Sequence, residues 1–236
     1  MVSSAPSFQK RRLFASINRL SFIMDYGTQK KKDMEAEKEL SKFLDKYLYT
    51  KDIFSKAERT NDQDAQINGS DIIVSIPSLG IENGIVDEKA SIYYINKDLK
   101  TFVLEISFKN INGDFSDGWF INESLSTQYY LIQWIKANVE DSYAVKSEDI
   151  TEIECVLVSK SKIVEYLKNE GLGRENLLRI ANYLRRKNQA NYTFGNKPYR
   201  IHYSSGLNER PVNLLLNISE YIRLGEFHYI LKPTRL

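Results

Sequence analysis

The chain has 236 residues, of which 42% are hydrophobic and 27% charged, and its net charge is +2. This composition allows a substantial buried core and favours one compact domain or a domain with an appendage. The near-neutral balance argues against a protein that wraps nucleic acid through overall basicity, although local basic clusters are possible. The single cysteine, Cys155, excludes an internal disulfide and a cysteine-based zinc site, and its apolar neighbours predict a buried strand position.

The beginning of the sequence is rich in Ser and Arg and contains no acid before Asp25. It lacks the uninterrupted apolar block of a secretory signal, and no apolar run reaches the roughly 20 residues that span a bilayer. We therefore expect a protein that is not exported, has no membrane partner and lies in the reducing cytoplasm. Residues 1–32 are predicted to form an N-terminal arm, with a transit peptide or a later start at Met24 as alternatives.

The first periodic segment predicts an amphipathic helix over residues 30–51, because its apolar positions recur every three or four residues. These positions are Ala36, Leu40, Phe43, Leu44, Tyr47 and Leu48. The following stretch, residues 59–110, is rich in β-branched and aromatic residues broken by turn sequences, which predicts strands in an antiparallel meander. Residues 122–139, "NESLSTQYYLIQWIKANV", return to helical spacing and predict a second helix.

The remaining chain predicts a strand at "EIECVLVS", helices at "SKIVEYLKNEGL" and "RENLLRIANYLRRKN", a strand at "YRIHYSS", the apolar block "RPVNLLLN" and a short helix at "ISEYIRL". The fold class is therefore α/β. We divide it into the N-terminal arm, a core over residues 33–158 and a mixed α/β extension over residues 159–236 that packs on this core. The sequence contains no internal repeat.

Charged residues interrupt the predicted strands at three places. Asp87 and Lys89 are two residues apart in one strand, so they share a face, while Glu88 points to the opposite face. Asp71 begins the strand "DIIVSI", and a hairpin would bring it beside Asp87. Glu105 lies in the apolar strand "FVLEISF", where a carboxylate is unfavourable unless it is paired or binds a metal.

Crowded carboxylates repel one another, and a hard divalent cation such as Mg²⁺ or Mn²⁺ relieves this repulsion. A neighbouring lysine would orient a water molecule or stabilise negative charge on a phosphate. The two histidines, His202 and His228, are far from these strands in sequence, which argues against a histidine-based zinc site. The pattern favours metal-dependent hydrolysis of phosphodiester bonds.

Residues 33–158 resemble the PD-(D/E)XK nuclease superfamily, and the stretches around "DEKASIYYIN" look like a subgroup from phages and mobile elements. The resemblance implies a restriction-endonuclease-like core made of a helix, a three-stranded meander, a second helix and a strand. It implies an Asp on one strand and an acid-x-Lys motif on the next, matched here by Asp71, Asp87 and Lys89. It also implies a Glu from the first helix, here Glu37, and a Gln from the second helix, here Gln128.

A second register uses Asp87 and Glu105 as the two acids, with Lys89 supplying the lysine from the neighbouring strand. Both registers contain Asp87 and Lys89, so Asp71 and Glu105 compete for the third position. Asp71, Asp87 and Glu105 are accordingly the candidate metal ligands.

Two rival hypotheses remain beside a Mg²⁺-dependent deoxyribonuclease. The first is a non-catalytic module of the same fold that binds nucleic acid or a protein. The second is a small α/β interaction protein whose acids are only solvated. The resemblance also favours DNA over RNA as the substrate, with RNA as the alternative. It allows a homodimer, because nucleases of this fold often dimerise to cut both strands.

Overall fold

The computed structural model describes residues 31–60 and 68–233. The predicted N-terminal arm lies outside these residues except for its last two positions. Two β-sheets and four helices form the described part of the chain. The chain is therefore of the α/β class, as the sequence predicts.

Helix α1 covers residues 31–47 and is followed by strands β1 (Lys56–Arg59), β2 (Ile72–Ile76) and β3 (Ile81–Ala90). The strands pair β1 with β2 and β2 with β3, both antiparallel. Within the predicted run of residues 59–110 this confirms the antiparallel pairing of β2 with β3, whereas β1 was not predicted. The apolar stripe of α1, which includes Leu40, Phe43 and Leu44, is at most 3% exposed. This burial confirms the first predicted amphipathic helix.

The next strands are β4 (Thr101–Lys109), β5 (Phe115–Asp117), β6 (Tyr129–Ala137) and β7 (Ile150–Ser159). The chain continues with helices α2 (Lys160–Asn169) and α3 (Arg174–Lys187) and strands β8 (Asn191–Thr193), β9 (Tyr199–Tyr203) and β10 (Val212–Asn217). Helix α4 (Ile218–Leu224) and strand β11 (Phe227–Leu231) end the described chain. Short 3₁₀ turns occur at Pro77–Leu79, Ile92–Tyr94, Ser142–Ala144 and Ser147–Asp149.

The first sheet has the strand order β1-β2-β3-β6-β7-β11, and the second has the order β5-β4-β10-β9-β8. Only the β3–β6 pair is parallel in the described sheets; the other neighbours are antiparallel. One apolar core fills the space between α1 and the first sheet. The other core lies between the two sheets and helices α2 and α3. Each sheet contains strands from both sides of residue 158.

The prediction of a second helix over residues 122–139 is wrong. Most of this segment is β6, which pairs with β3 on one side and β7 on the other. Its side chains are buried on both faces of the sheet, with Tyr130 and Ile132 in one core and Leu131 and Ile135 in the other. A strand that is buried on both faces has a continuous apolar sequence, and such a run also satisfies helical spacing.

Strand β4 also differs from the prediction, because it leaves the meander and joins the second sheet between β5 and β10. The third strand of the predicted run is therefore not a neighbour of β3. This placement puts Glu105 on β4 in a different sheet from β2, which follows Asp71, and β3, which carries Asp87. Among the helices described, none has the length and apolar character needed to cross a membrane.

Candidate functional site

A cleft of about 530 Å³ opens between α1 and the ends of β2 and β3. The polar residues that line it include Glu37, Asp71, Asp87, Lys89 and Gln133, together with the contact group of Ser41, Arg59 and Glu88. Four of these residues are candidates from the sequence, and they come from three different elements or their boundaries. The tertiary structure therefore brings Glu37, Asp71, Asp87 and Lys89 to one place.

Asp87 and Lys89 occupy the central strand β3 and meet on one face, as the alternation of a strand predicts. The Lys89 Nζ lies 2.7 Å from the Asp87 Oδ1. Asp87 is only 3% exposed, so its carboxylate depends on this charged partner for its stability in the folded chain. Burial lowers the pKa of Lys89, but Asp87, Asp71 and Glu37 outweigh burial and raise it above its ordinary value.

Asp71 precedes β2 and is fixed by two contacts with β3. Its backbone N–H donates to the Val86 carbonyl at 3.0 Å, and its Oδ2 accepts from the Glu88 N–H at 2.7 Å. Burial, and next the neighbouring Asp87 carboxylate, raise the pKa of Asp71 from its ordinary value to about 7. Two carboxylates thus share a small, poorly hydrated volume beside one lysine.

Glu37 stands on α1 at the open rim of the cleft. Reduced hydration among the cleft walls raises the pKa of Glu37, whereas Lys89, the next largest influence, lowers it. The Glu37 carboxyl is therefore within electrostatic reach of the Lys89 ammonium while it remains accessible to a ligand.

Glu88 points to the opposite face of β3, toward α1. Its carboxylate accepts hydrogen bonds from the Tyr49 hydroxyl at 2.6 Å and from the Arg59 guanidinium at 2.6 Å. The Ser41 hydroxyl lies 3.4 Å from the same carboxylate. These contacts tie α1, β1 and β3 together, so Glu88 has a structural part in forming the cleft.

Glu105 does not line this cleft but a neighbouring cavity, in contact with the loop that follows β5. Its carboxyl accepts a hydrogen bond from the Trp119 backbone N–H. Burial, and next the nearby Glu209, raise the pKa of Glu105 to about 7, and Lys89 lowers it by a smaller amount. Glu105 therefore lies within electrostatic reach of Lys89, although Asp71 is the acid that shares the cleft with Asp87.

Gln128 lies outside the cleft and is not on a helix. It precedes β6, its side chain is exposed, and its Oε1 accepts a hydrogen bond from the Ile85 N–H at 3.1 Å. This contact satisfies the backbone of β3 where the parallel pairing with β6 begins. The Gln128 side chain thus has a structural partner and no contact with the acids.

Two further polar residues near the cleft were missed at the sequence level. Gln133 on β6 lines the cleft, is 2% exposed, and its Oε1 has no hydrogen-bond partner among the described residues. Its signal in the sequence is a lone amide inside the apolar run "YYLIQWI". Lys160, the first residue of α2, lies within electrostatic reach of Asp87, and no feature of the sequence distinguishes it from its neighbours.

The carboxylates of the cleft are candidate ligands for a divalent cation. Within residues 31–60 and 68–233, no group of three or more His, Cys, Asp and Glu side chains is placed to hold a metal ion. Mg²⁺, however, commonly binds through one or two carboxylates, with water and substrate phosphates as its other ligands. Burial, and next the repulsion from Asp87, raise the pKa of Asp71, and a cation would relieve the repulsion. Asp71 and Asp87 therefore fit an open Mg²⁺ or Mn²⁺ site that water and a phosphate complete.

The chain matches no protein-family model, no curated protein and no solved structure. The function must therefore be argued from the cleft and its residues.

Proposed function

We propose that this protein is a metal-dependent nuclease of the PD-(D/E)XK type that hydrolyses phosphodiester bonds, with DNA as its substrate. The observation that supports this proposal most strongly is the meeting of Asp71, Asp87 and Lys89 in one cleft, at the ends of adjacent antiparallel strands. Two acids and a lysine from neighbouring strands are the residues that the superfamily resemblance implies.

Asp71 and Asp87 would hold Mg²⁺ or Mn²⁺. The bound cation would supply Lewis-acid stabilisation of the negative charge on the phosphate oxygens. Lys89 would orient the attacking water and stabilise charge on the same phosphate, because its ammonium is held in place by Asp87 at 2.7 Å. Glu37 at the rim would orient water or a second ligand from the side of α1.

A second candidate function is a non-catalytic module that binds nucleic acid or a protein through the same cleft. Two observations favour it: the absence of a three-residue metal group among the residues described, and the direct ion pair of Lys89 with Asp87, which neutralises both groups without a metal. In this case the cleft would bind a partner without cleaving it.

Cleavage of supercoiled plasmid, linear duplex, single-stranded DNA and single-stranded RNA, each with Mg²⁺ or Mn²⁺, tests these alternatives. The Asp87→Asn and Lys89→Met variants are expected to lose cleavage by about 100-fold or more, as for other groups that stabilise developing charge. Lys136→Met is the matched control, since Lys136 forms an exposed ion pair with Glu152.

Metal binding is measured separately from cleavage. Calorimetric titration with Mg²⁺ should give saturable heat for the native protein and none for Asp87→Asn. If the native protein neither cleaves any of these substrates nor binds Mg²⁺, the nuclease proposal fails and the non-catalytic module replaces it.

A further inference from the structure

We propose that the cavity beside the cleft is a nucleotide subsite, in which Trp119 stacks on an unpaired base and Lys160 binds the adjoining phosphate. The inference rests on the proposed function, because it names the part of the nucleic acid that enters beside Asp87 and Lys89. It implies a substrate with an unpaired or extruded base next to the bond that is cut.

The cavity is a shallow, solvent-open depression of about 510 Å³ that shares part of its wall with the cleft. Trp119 and Leu125 line both spaces, so a chain that enters the cleft meets the cavity without crossing any other element. The remaining wall includes Phe108, Glu105, Ser116 and Asn122. An aromatic wall with polar groups at its edge suits a nucleobase, which has an apolar face and a hydrogen-bonding rim.

The loop that carries Trp119 is fixed by close backbone contacts with β4. The Gly118 N–H donates to the Ile106 carbonyl at 2.8 Å, and a Cβ at Gly118 would lie 2.4 Å from the Glu105 carbonyl oxygen. The glycine therefore lets the loop lie directly against β4. The ring itself meets Tyr130 edge to face, with 5.1 Å between the ring centroids.

Trp119 also connects the cavity to the proposed catalytic lysine. The Lys89 Nζ lies 5.1 Å from the centroid of the indole ring, close enough for a cation–π interaction. A base that stacks on Trp119 would consequently place its sugar and phosphate near Lys89. This distance is the reason to assign the cavity to the nucleotide beside the scissile bond.

Lys160 contacts a wall residue of the cavity and lies near an acid of the cleft. Its Nζ donates to the backbone carbonyl of Asn122, a cavity residue, at 3.2 Å, and it is within electrostatic reach of Asp87. In the part of the chain that the structure describes, Lys160 forms no ion pair, whereas Lys162 pairs with Glu226 at 2.8 Å. Burial lowers the pKa of Lys160, an unfavourable effect that a bound phosphate would offset.

The acids of the cavity do not oppose a polyanion. Asp117 forms an ion pair with Arg174 at 2.5 Å, which neutralises it. Glu105 has a pKa raised by burial to about 7, so a large fraction of its carboxyl is neutral near neutral pH. The protonated carboxyl is also a hydrogen-bond donor for the edge of a base.

The experiment measures binding of a fluorescein-labelled ten-nucleotide single strand by anisotropy in EDTA, so that cleavage plays no part. The probes are this oligonucleotide and a copy with one abasic site at its centre. The variants are Trp119→Ala, Trp119→Phe, Lys160→Met and Lys162→Met.

We expect Trp119→Ala to weaken binding of the intact strand about tenfold. Trp119→Phe should retain binding within a few-fold, because stacking needs only an aromatic face. The native protein should prefer the intact strand, and Trp119→Ala should not.

The salt dependence isolates the phosphate contact. Loss of one phosphate contact lowers the slope of log K against log salt concentration by about 0.7 for a single strand. Lys160→Met should show this decrease, and Lys162→Met should keep the native slope. Equal affinities of native protein and Trp119→Ala for both probes, with equal slopes for the two lysine variants, would overturn the subsite. Thermal denaturation of each variant confirms that it is folded.

The outcome is separable from that of the proposed function. Binding that depends on Trp119 and Lys160 in EDTA supports the subsite even if no substrate is cleaved when Mg²⁺ is added. Conversely, Mg²⁺-dependent cleavage that is lost in Asp87→Asn but unaffected by Trp119→Ala and Lys160→Met supports the nuclease and rejects the subsite.

Discussion

A single glycine lets the chain before β2 lie close to Thr127 and to the Asp87 carboxylate. Gly69 has a φ of +76°, and its carbonyl accepts a hydrogen bond from the Thr127 hydroxyl at 2.9 Å. A Cβ at this position would lie 2.2 Å from the Thr127 Oγ1 and 3.5 Å from the Asp87 Oδ2. The backbone therefore approaches both the start of β6 and the proposed metal ligand as only glycine allows.

We expect Gly69→Ala to destabilise the protein more than Gly171→Ala does. Gly171 has nearly the same φ, +75°, but an added Cβ there meets no atom within 4 Å. The left-handed backbone should cost about 1–2 kcal/mol in both variants, and the contacts at Gly69 should add about 1–3 kcal/mol. Urea denaturation measures both values, and equal losses would show that the contacts at Gly69 relax freely.

The stability of the protein should depend on pH through Glu105. Its pKa is raised from an ordinary value of 4.5 to about 7 in the folded chain, so folding binds a proton in this range. This contribution to stability is complete below pH 4.5, decreases as the pH rises toward 7, and is absent above that. Relative to native protein, Glu105→Gln should therefore gain about 1–3 kcal/mol in its free energy of unfolding between pH 4 and pH 8.

Chemical denaturation of the native protein and Glu105→Gln at pH 4, 6 and 8 measures this difference. Glu148→Gln, at an exposed acid in a 3₁₀ turn, is the control that removes one carboxylate from the surface. A difference between native protein and Glu105→Gln that stays constant over this range would contradict the assignment.

At the scale of elements, two ion pairs of Arg59 connect three elements beside the cleft. Arg59 on β1 contacts Glu88 on β3 at 2.6 Å and Asp45 on α1 at 2.8 Å. The Glu88 side chain is 8% exposed, so the guanidinium is the counter-charge of a nearly buried carboxylate. The same guanidinium lies 5.3 Å from the Tyr49 ring centroid. These contacts fix α1 relative to the meander.

We expect Arg59→Met to lose about 3–5 kcal/mol of stability, because it leaves Glu88 as a buried charge without its partner. Arg223→Met is the matched control: Arg223 pairs with Glu220 on the surface of α4, and its loss should cost under about 1 kcal/mol. The double variant Arg59→Met/Glu88→Gln should recover part of the loss. Thermal and urea denaturation of all four proteins test this, and a loss at Arg59 no larger than that at Arg223 would contradict it.

At the scale of the whole molecule, the two apolar cores share the first sheet. Tyr130 and Ile132 on β6 face one core, while Leu131 and Ile135 on the same strand face the other. A substitution that disrupts either core therefore also affects β6, the strand that flanks the cleft. The two sheets should consequently unfold together.

We expect Leu44→Ala, in the core beneath α1, and Leu214→Ala, in the core between the sheets, each to lower stability by about 2–5 kcal/mol. Both side chains are 0% exposed. The two variants should shift one common transition, seen equally by tryptophan fluorescence and by far-ultraviolet circular dichroism. Two separated transitions in either variant would show that the sheets unfold independently.

The sequence by itself determined the elements whose faces differ in polarity. Helix α1 has one apolar stripe, and β3 alternates so that Asp87 and Lys89 share a face while Glu88 points away, as observed. Helices α2 and α3 were predicted for the same reason. In these segments a single hydrophobic periodicity accounts for the order of apolar and polar residues, because solvent contacts only one side of the element.

Only the tertiary structure decided the elements that are buried on both sides and the pairing between distant strands. Strand β6 satisfies both helical and extended spacing, and its true state follows from its pairing with β3 and β7. The departure of β4 to the second sheet, which places Asp71 rather than Glu105 in the cleft, depends on β10, more than 100 residues further along the chain. Local periodicity contains no information on such pairings, because they are selected by the burial of shared cores and by the hydrogen bonds between strands.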